Sequence, residues 1–317
     1  MIQIRLLLLL SLFYAPMCQA QADTPGTFTE SGMTLQTSSG NIQGTLCLPL
    51  AKGSYPVALI IAGSGPTDRN GNNPYMKNNS LLQLSHALAR AGIASLRYDK
   101  RGIAASTDAG KNEADLRFSD YVHDASAWVD TLKKDTRFSG ICIIGHSEGS
   151  LIGMLSAAKA DRFISIAGPG EPAAKTIRRQ LADQPETIKQ DAYPRLDSLE
   201  NGLLVKTVPP LLISLFRPSV QPYLISWFRY DPSVEIAKLK IPVLLLQGRE
   251  DIQVNTDDAQ KLAAANKNAS LLLIDHMNHV LKNVTGSRAD NLKTYNNPDL
   301  PVSEELTNAI ISFIRNR

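Results

Sequence analysis

The chain has 317 residues, 43% of them hydrophobic, and a formal net charge of +3 at pH 7. This length suits one α/β domain that carries an insertion, and the hydrophobic fraction can fill a sizeable core. Because the charges are spread along the chain without a basic run, the composition argues against binding to nucleic acid.

The N-terminal segment, residues 1–22, is predicted to be a secretory signal peptide. Arg5 precedes an apolar stretch, residues 6–14, which is too short to cross a bilayer. Small residues then mark two overlapping cleavage sites, one ending at Ala20 and one at Ala22. We therefore expect export to the periplasm or the medium, with no stable membrane insertion after the signal is removed.

The next part of the chain, residues 23–168, alternates between strand and helix patterns, which predicts a mostly parallel sheet with helices on both faces. Cys47 and Cys142 lie in apolar strand segments, where they are expected to be small buried hydrophobic residues, although a disulfide between them stays open. The predicted elements are an antiparallel strand pair within 34–48, strands at 57–61, 93–98 and 163–167, helices at 81–91 and 118–134, and a strand and a helix around residue 147.

The segment Gly145-His146-Ser147-Glu148-Gly149 joins that last strand and helix through one serine. Glycines two residues before and two residues after Ser147 allow a very tight turn without Cβ clashes. The turn would hold the serine Oγ above the sheet and direct the helix N-terminus at the group that the serine attacks. The segment is therefore predicted to be the nucleophile elbow of a serine hydrolase.

A small helical cap is predicted for residues 169–238, because the strand–helix alternation stops at Gly168 and a structureless loop of this length is improbable in a compact domain. Its apolar region, 211–228, contains Pro218 and Pro222 and is not a transmembrane helix. That region is expected either to form the core of the cap or to line an acyl pocket.

The last part, residues 239–317, is predicted to complete the core and to supply the catalytic base. A serine hydroxyl needs a base within hydrogen-bond reach, and in this fold the histidine follows the serine in the chain. Of the 5 histidines, His276 and His279 follow Ser147. His279 is preferred because it lies further beyond the strand and can fold back over the serine. The predicted elements here are strands at 243–247 and 270–274 and helices at 256–265 and 304–314.

The acid that orients the histidine is predicted to be Asp251. It closely follows the strand at 243–247, and Gly248 between them allows a turn. Glu250 is the alternative candidate for this acid. Asp257 and Asp258 are expected instead to complement the dipole at a helix N-terminus.

The tetrahedral oxyanion needs preorganised hydrogen-bond donors. One predicted donor is the backbone N–H of Glu148, which directly follows the nucleophile. The other is the N–H of Ser64, with Gly65 as second choice, in the glycine-rich loop after the strand at 57–61. That loop lacks the ending of a phosphate-binding P-loop. The chain also contains no H-E-x-x-H motif, no Cys/His cluster and no dinucleotide fingerprint, so neither a metal nor a cofactor is expected.

Together these motifs resemble the α/β-hydrolase superfamily, and within it exported bacterial hydrolases of the serine aminopeptidase-like and dienelactone hydrolase-like branches. The resemblance implies an eight-stranded, mostly parallel sheet with a cap inserted after the sixth strand. Dienelactone hydrolases use a cysteine where this chain has Ser147, and Ala104 stands where glycine is frequent. The segments that carry the resemblance are 63–71, 98–102, 145–149, 248–251 and 278–279.

From these residues we expect a serine carboxylesterase that acts on small-molecule esters of small to medium acyl groups through an acyl-enzyme. An amide-cleaving peptidase is an alternative, which acidic cap residues that capture a substrate amine would favour. A non-catalytic binding protein on a hydrolase fold is a second alternative, which the loss of a catalytic residue would indicate. The candidate acidic cap residues are Glu171, Asp183, Glu186, Asp191, Asp197 and Glu200.

Overall fold

The structure, a computed structural model, describes residues 26–51 and 53–316. The predicted signal peptide lies outside the described residues. Within those two ranges, no helix is both long enough and apolar enough to cross a membrane.

The described chain forms one eight-stranded sheet. Its strands are β1 (Phe28–Thr37), β2 (Gly40–Pro49), β3 (Tyr55–Ile61), β4 (Ala94–Tyr98), β5 (Phe138–His146), β6 (Arg162–Ile166), β7 (Val243–Gly248) and β8 (Ala269–Ile274). Their order in the sheet is β1-β2-β4-β3-β5-β6-β7-β8. β2 pairs antiparallel with β1 and with β4, and all other neighbours are parallel.

Helices follow most of the parallel strands, because parallel strands need a long crossover connection, which is usually a helix. The helices are α1 (Ser80–Arg90), α2 (Phe118–Lys133), α3 (Glu148–Ser156), α4 (Ala173–Gln180), α5 (Glu186–Glu200), α6 (Ile213–Phe216), α7 (Gln221–Trp227), α8 (Pro232–Ala237), α9 (Thr256–Ala265), α10 (Arg288–Thr294) and α11 (Glu304–Arg315). Short 3₁₀ helices add the segments Ala104–Gly110, Glu113–Asp115, Ala157–Lys159 and Pro210–Leu212.

The central strands are apolar on both faces because helices cover both sides of the sheet. In β3, Val57, Leu59 and Ile61 belong to the core on the side of α2 and α3. Ala58 and Ile60 belong to the core on the side of α1 and α11. The chemistry is thereby left to the loops at the strand ends, which is where ligands bind in open α/β sheets.

The helices α4 to α8 all lie between β6 and β7 and cover the end of the sheet where α2 begins. Phe118, the first residue of α2, stacks on Trp227 of α7 with ring centroids 5.8 Å apart and an interplanar angle of 2°. The Phe118 backbone N–H also donates to Ser226 Oγ at 2.8 Å. These contacts fix the inserted helices over the loops that hold the predicted site.

The predicted fold class is confirmed, with its mostly parallel eight-stranded sheet and helices inserted after the sixth strand. The position of β1 differs from the prediction of strands within 34–48, since β1 begins at Phe28. The first half of β1 is exposed on both faces of an edge strand, so it lacks the alternation of apolar and polar residues that reveals a half-buried strand.

Candidate active site

Ser147 occupies a strained turn between β5 and α3. Its backbone has φ 55° and ψ −122°, a conformation that a residue with a side chain rarely adopts. Such strain costs about 1–3 kcal/mol and persists where the surrounding structure enforces it. Here the Ser147 N–H donates to the Ile166 carbonyl at 2.9 Å, which ties the turn to the end of β6.

The two glycines that flank the serine are required by close backbone contacts. A Cβ added to Gly145 would lie 2.2 Å from the Gly149 carbonyl oxygen, and one added to Gly149 would lie 2.3 Å from the Ile61 carbonyl oxygen. Neither position has room for a side chain. The glycine spacing that predicted the elbow therefore reflects the packing of α3 against β3 and β5.

His279 and Asp251 form the hydrogen bond expected of a catalytic base and its orienting acid. His279 Nδ1 lies 2.8 Å from Asp251 Oδ2, and both side chains are buried. Backbone N–H groups of Gln253 and Val254 donate to Asp251 Oδ1 at 2.8 and 3.0 Å. Burial raises the pKa of the Asp251 carboxyl, but His279 and these two donors outweigh it and hold that pKa below its usual value. Asp251 is thus an ionised carboxylate that accepts from the ring.

Side chains around this pair fix the two loops that carry it. Gln247 Nε2 donates to Asp251 Oδ2 at 3.2 Å and to the Val254 carbonyl at 2.9 Å. Asn291 of α10 accepts from Asn278 Nδ2 at 2.9 Å and donates to the Glu250 carbonyl at 2.6 Å. The loop of the histidine and the loop of the aspartate are therefore joined through one buried amide.

Ser147 and His279 line the same cavity. Among the described residues, no hydrogen bond joins Ser147 Oγ to the His279 ring. In the absence of substrate, catalytic hydrogen bonds are often long and tighten in the complex. The structure thus brings base and acid into direct contact, and the serine and the base line one cavity.

The two predicted oxyanion donors lie on either side of Ser147. Glu148 follows it at the start of α3, and Ser64 follows Gly63 in the loop after β3. A Cβ added to Gly63 would lie 3.1 Å from Ser147 Cβ, which shows how closely this loop passes the nucleophile. Two cavities adjoin Ser147. Ser64 and Ser147 line both of them, and Glu148 lines the larger one.

The residues that were considered as alternatives to His279 and Asp251 lie away from the His279–Asp251 contact. His276 is exposed in a turn with φ 61°, and Glu250 is exposed beside Asp251. Asp258 is buried, forms a capping box with Asn255 at the start of α9, and accepts from Arg179 Nη2 at 2.5 Å. Asp257 is exposed in the same first turn. None of these four side chains contacts His279 in the described part of the chain.

His146, beside the nucleophile, has a structural contact that the sequence did not reveal. Its Nε2–H donates to the His279 carbonyl at 2.8 Å, and the two rings lie 4.8 Å apart. Burial, with His279 as the second cause, lowers the pKa of His146 to about 3. The ring is therefore neutral and holds the backbone of the predicted base.

A buried ion pair lies under the oxyanion region and was not predicted. Lys100 Nζ donates to Glu148 Oε2 at 2.9 Å and to the Gly63 carbonyl at 2.5 Å. The Tyr223 hydroxyl of α7 donates to Glu148 Oε1. Burial raises the pKa of Tyr223 well above its usual value, and Glu148 raises it further, so the hydroxyl keeps its proton. Segment 98–102 is one of the segments that resemble the α/β-hydrolase superfamily, but nothing in the sequence predicted which side chain pairs with Lys100.

Two cavities meet at Ser147. The larger, of about 760 Å³, extends beneath α4 to α8 and is lined by apolar side chains such as Leu151, Ile177, Leu215 and Trp227. The smaller, of about 240 Å³, includes His279, Gln253 and several polar residues of the loop after β3. Within the described ranges, no group of three or more His, Cys, Asp or Glu residues is arranged to hold a metal ion.

Replacing Asp251 with asparagine is expected to lower kcat for ester hydrolysis by about 10⁴-fold. The amide keeps the shape of the carboxylate but favours the wrong tautomer of His279 and cannot stabilise the imidazolium. Steady-state kinetics of the variant measure this loss. Glu250→Gln is the matched control, since Glu250 is the exposed neighbour, and it should retain kcat within twofold; the reverse pattern would assign the acid to Glu250.

Comparison with known proteins identifies a matching family model and a curated esterase of similar sequence. A family model described as serine aminopeptidase, S33, matches residues 77–197. Esterase EstD of Thermotoga maritima is 27% identical over 266 residues, which are 81% of this chain and 61% of EstD. The chain therefore spans about three fifths of the length of that relative.

Solved structures with the same architecture include several esterases. Est1E from Butyrivibrio proteoclasticus, solved with ferulic acid bound, matches with a TM-score of 0.59 and 19% identity over 90% of this chain and 100% of that one. The Pyrococcus furiosus esterase Pf2001 matches with a TM-score of 0.54 and 17% identity over 91% of this chain and 90% of that one. At these identities the likeness establishes a common fold.

Proposed function

We propose that this chain, an α/β-hydrolase by its fold and its relatives, cleaves carboxylic esters through an acyl-enzyme on Ser147. The superfamily predicted from the sequence is confirmed by the family match and by the esterase relatives. The observation that carries the proposal is that His279, whose Nδ1 lies 2.8 Å from Asp251 Oδ2, lines a cavity that Ser147 also lines. Export, predicted from residues 1–22, remains part of the proposal.

In this mechanism His279 takes the proton of Ser147 as the hydroxyl attacks the ester carbonyl. Asp251 stabilises the imidazolium that forms and keeps the ring in the tautomer with Nδ1–H. The N–H groups of Ser64 and Glu148 stabilise the tetrahedral oxyanion. His279 then protonates the leaving alcohol, and a water molecule, activated by the same ring, releases the acid from the acyl-enzyme.

The two cavities suggest how the ester is oriented. The leaving oxygen must lie beside His279, because that ring protonates it. Among the described residues His279 lines the smaller cavity and not the larger one. The alcohol therefore fits the smaller cavity, which His279 lines, and the acyl group fits the larger cavity under α4 to α8.

The apolar region 211–228 is divided between the core of the inserted helices and the wall of the larger cavity. Phe216 and Leu224 are buried in the core of the inserted helices. Leu215, Val220 and Trp227 line the larger cavity. The charged side chains that line this cavity are paired with opposite charges, for example Arg217 with Glu113. This lining favours an uncharged aliphatic or aromatic acyl group; Est1E, with its bound ferulic acid, shows that the fold accommodates an aromatic acid.

Amide cleavage is the second candidate, and the S33 family match supports it weakly. Capture of a substrate amine needs a carboxylate that faces the cavity without a partner. Of the acidic cap residues, Glu171 lines the cavity, but it is paired with Arg179 and with Lys261. Asp197 and Glu200 are paired in the same way with Arg178, Glu186 with Lys189 and Asp191 with Arg195. The charges of the cap therefore favour ester cleavage.

The test compares p-nitrophenyl acetate, butyrate and octanoate with aminoacyl p-nitroanilides on the purified mature protein. Ester turnover should exceed anilide turnover, and kcat/KM should rise from acetate to the longer chains because each buried methylene adds binding energy. Faster hydrolysis of the anilides would instead support the amidase.

Filling the larger cavity should narrow the acyl range. The bulkier side chain of Leu215→Trp occupies space beneath the cap, so we expect kcat/KM for octanoate to fall about tenfold while that for acetate changes less than twofold. Leu204→Trp is the control, because Leu204 is exposed on the cap and lies outside the cavity lining. An equal loss on both esters in Leu215→Trp would contradict the placement of the acyl group.

A further inference from the structure

Lys100 is buried to an extent that requires an explanation. Its side chain, two residues beyond the end of β4, is 1% exposed, and an unpaired ammonium there would be strongly destabilising. Its Nζ contacts two groups, the Glu148 carboxylate at 2.9 Å and the Gly63 carbonyl at 2.5 Å, and lies 5.0 Å from the centroid of the Tyr121 ring. Replacement of such a buried ion pair by apolar residues is often neutral or stabilising, so stability alone is a weak reason for its presence.

The bond to Gly63 acts on one predicted oxyanion donor. The Gly63 carbonyl and the Ser64 N–H belong to the same peptide unit, and the described chain contains no cis peptide. In a trans peptide the oxygen and the N–H point to opposite sides of one plane. A cation that holds the oxygen therefore fixes the direction of the Ser64 N–H, and it polarises the peptide so that this N–H is a stronger donor.

The bond to Glu148 acts on the other predicted donor. Glu148 supplies its backbone N–H to the oxyanion region, and its side chain, 2% exposed, is held by Lys100 on one carboxylate oxygen and by Tyr223 on the other. Rotation of this first residue of α3 would break both contacts. One ammonium thus links the loop after β3 to the start of α3, the two segments on either side of the nucleophile.

We propose that Lys100 is a positioning residue that aligns the Ser64 and Glu148 N–H groups of the oxyanion hole, with the Glu148 carboxylate as its second anchor. This inference rests on the proposed esterase function. Lys100 acts through the peptide of Gly63 and the side chain of Glu148, and takes no proton from the substrate. Misalignment of the donors should weaken binding of the transition state while leaving binding of the ground-state ester unchanged.

The experiment compares Lys100→Met, Glu148→Gln and the double variant Lys100→Met/Glu148→Gln on p-nitrophenyl butyrate. We expect kcat to fall about 10²-fold to 10³-fold in Lys100→Met, the loss typical of one oxyanion donor, with KM within threefold of the wild-type value. The double variant leaves no unpaired buried charge, so it should fold, and it should show the same loss of kcat. Inhibition by an alkyl trifluoromethyl ketone, whose adduct carries an oxyanion, should weaken in proportion to kcat.

Arg97→Met is the matched control for a buried cation of purely structural role. Arg97 lies on β4, the strand that precedes Lys100, is 3% exposed and donates to Glu30 Oε1 at 2.7 Å, but it lines neither cavity. It should lower the melting temperature and leave kcat unchanged. If the folded double variant keeps kcat within threefold of wild type, the positioning role is wrong even though the esterase proposal stands. An absence of ester turnover in the wild-type protein would instead remove the proposed function, and this inference with it.

Discussion

Replacing Ser147 with alanine is expected to lower kcat for p-nitrophenyl butyrate by about 10⁶-fold, the loss seen when a serine nucleophile is removed from a comparable triad. The oxyanion donors and both cavities would remain, so the residual rate should still exceed that of the uncatalysed reaction. Alanine also relieves none of the backbone strain at φ 55°, because it too carries a Cβ. The folded structure and KM should therefore change little.

Ser156→Ala is the control for loss of a hydroxyl in the same helix. Ser156 is the last residue of α3, and its Oγ donates to the Ile152 carbonyl at 2.6 Å, away from the cavities. It should keep kcat within twofold while circular dichroism shows an intact fold in both variants. Turnover of Ser147→Ala at the wild-type rate would exclude the serine mechanism.

The second large effect is expected for His279→Ala, which should lower kcat nearly as much as Ser147→Ala. Without the ring, nothing accepts the serine proton or protonates the leaving alcohol, and Asp251 loses its partner. Because serine and histidine act as one unit, the double variant Ser147→Ala/His279→Ala should be no slower than either single variant. Steady-state kinetics of the three proteins measure both expectations.

His276→Ala provides the comparison within the same loop. His276 is exposed, and its backbone, with φ 61°, forms the turn that precedes the predicted base. The substitution should leave kcat within about threefold, because its ring contacts neither Ser147 nor Asp251 in the described part of the chain. Loss of activity in His276→Ala together with retention in His279→Ala would reverse the assignment of the base.

The parts of the fold that the sequence predicted well are those with strong local signals. Buried parallel strands are short apolar runs, and the elbow needs glycine at two positions where no Cβ fits. These signals do not depend on distant contacts. β1 and α10 lack them, because the first half of β1 is exposed on both faces and α10 is a short polar helix. The formation of both elements depends on contacts with neighbouring parts of the fold.

The candidate site was likewise predictable only in part. His279 and Asp251 follow predicted strands, and parallel strands end at the same edge of the sheet, so their meeting could be anticipated from chain order. Lys100, Gln247 and Asn291 could not be found in this way. Their partners lie on loops distant in the chain, and only the tertiary structure shows that each amide or ammonium bridges two of those loops.

One departure from the pattern of the superfamily that the sequence resembles has a visible structural counterpart. Ala104, at the position where the superfamily frequently has glycine, has φ 45°, in the left-handed region. Glycine adopts this conformation without the steric cost that alanine incurs. The frequent glycine is therefore explained by backbone geometry in the loop after β4.

The most direct test of the esterase mechanism is to react the protein with a p-nitrophenyl alkylphosphonate and locate the adduct by peptide mass spectrometry. We predict one phosphonyl group per chain, bonded to Ser147 Oγ, with p-nitrophenol released in equal amount and ester hydrolysis abolished in parallel. His279→Ala should react far more slowly. An adduct on another residue, or full esterase activity in the labelled protein, would contradict the account.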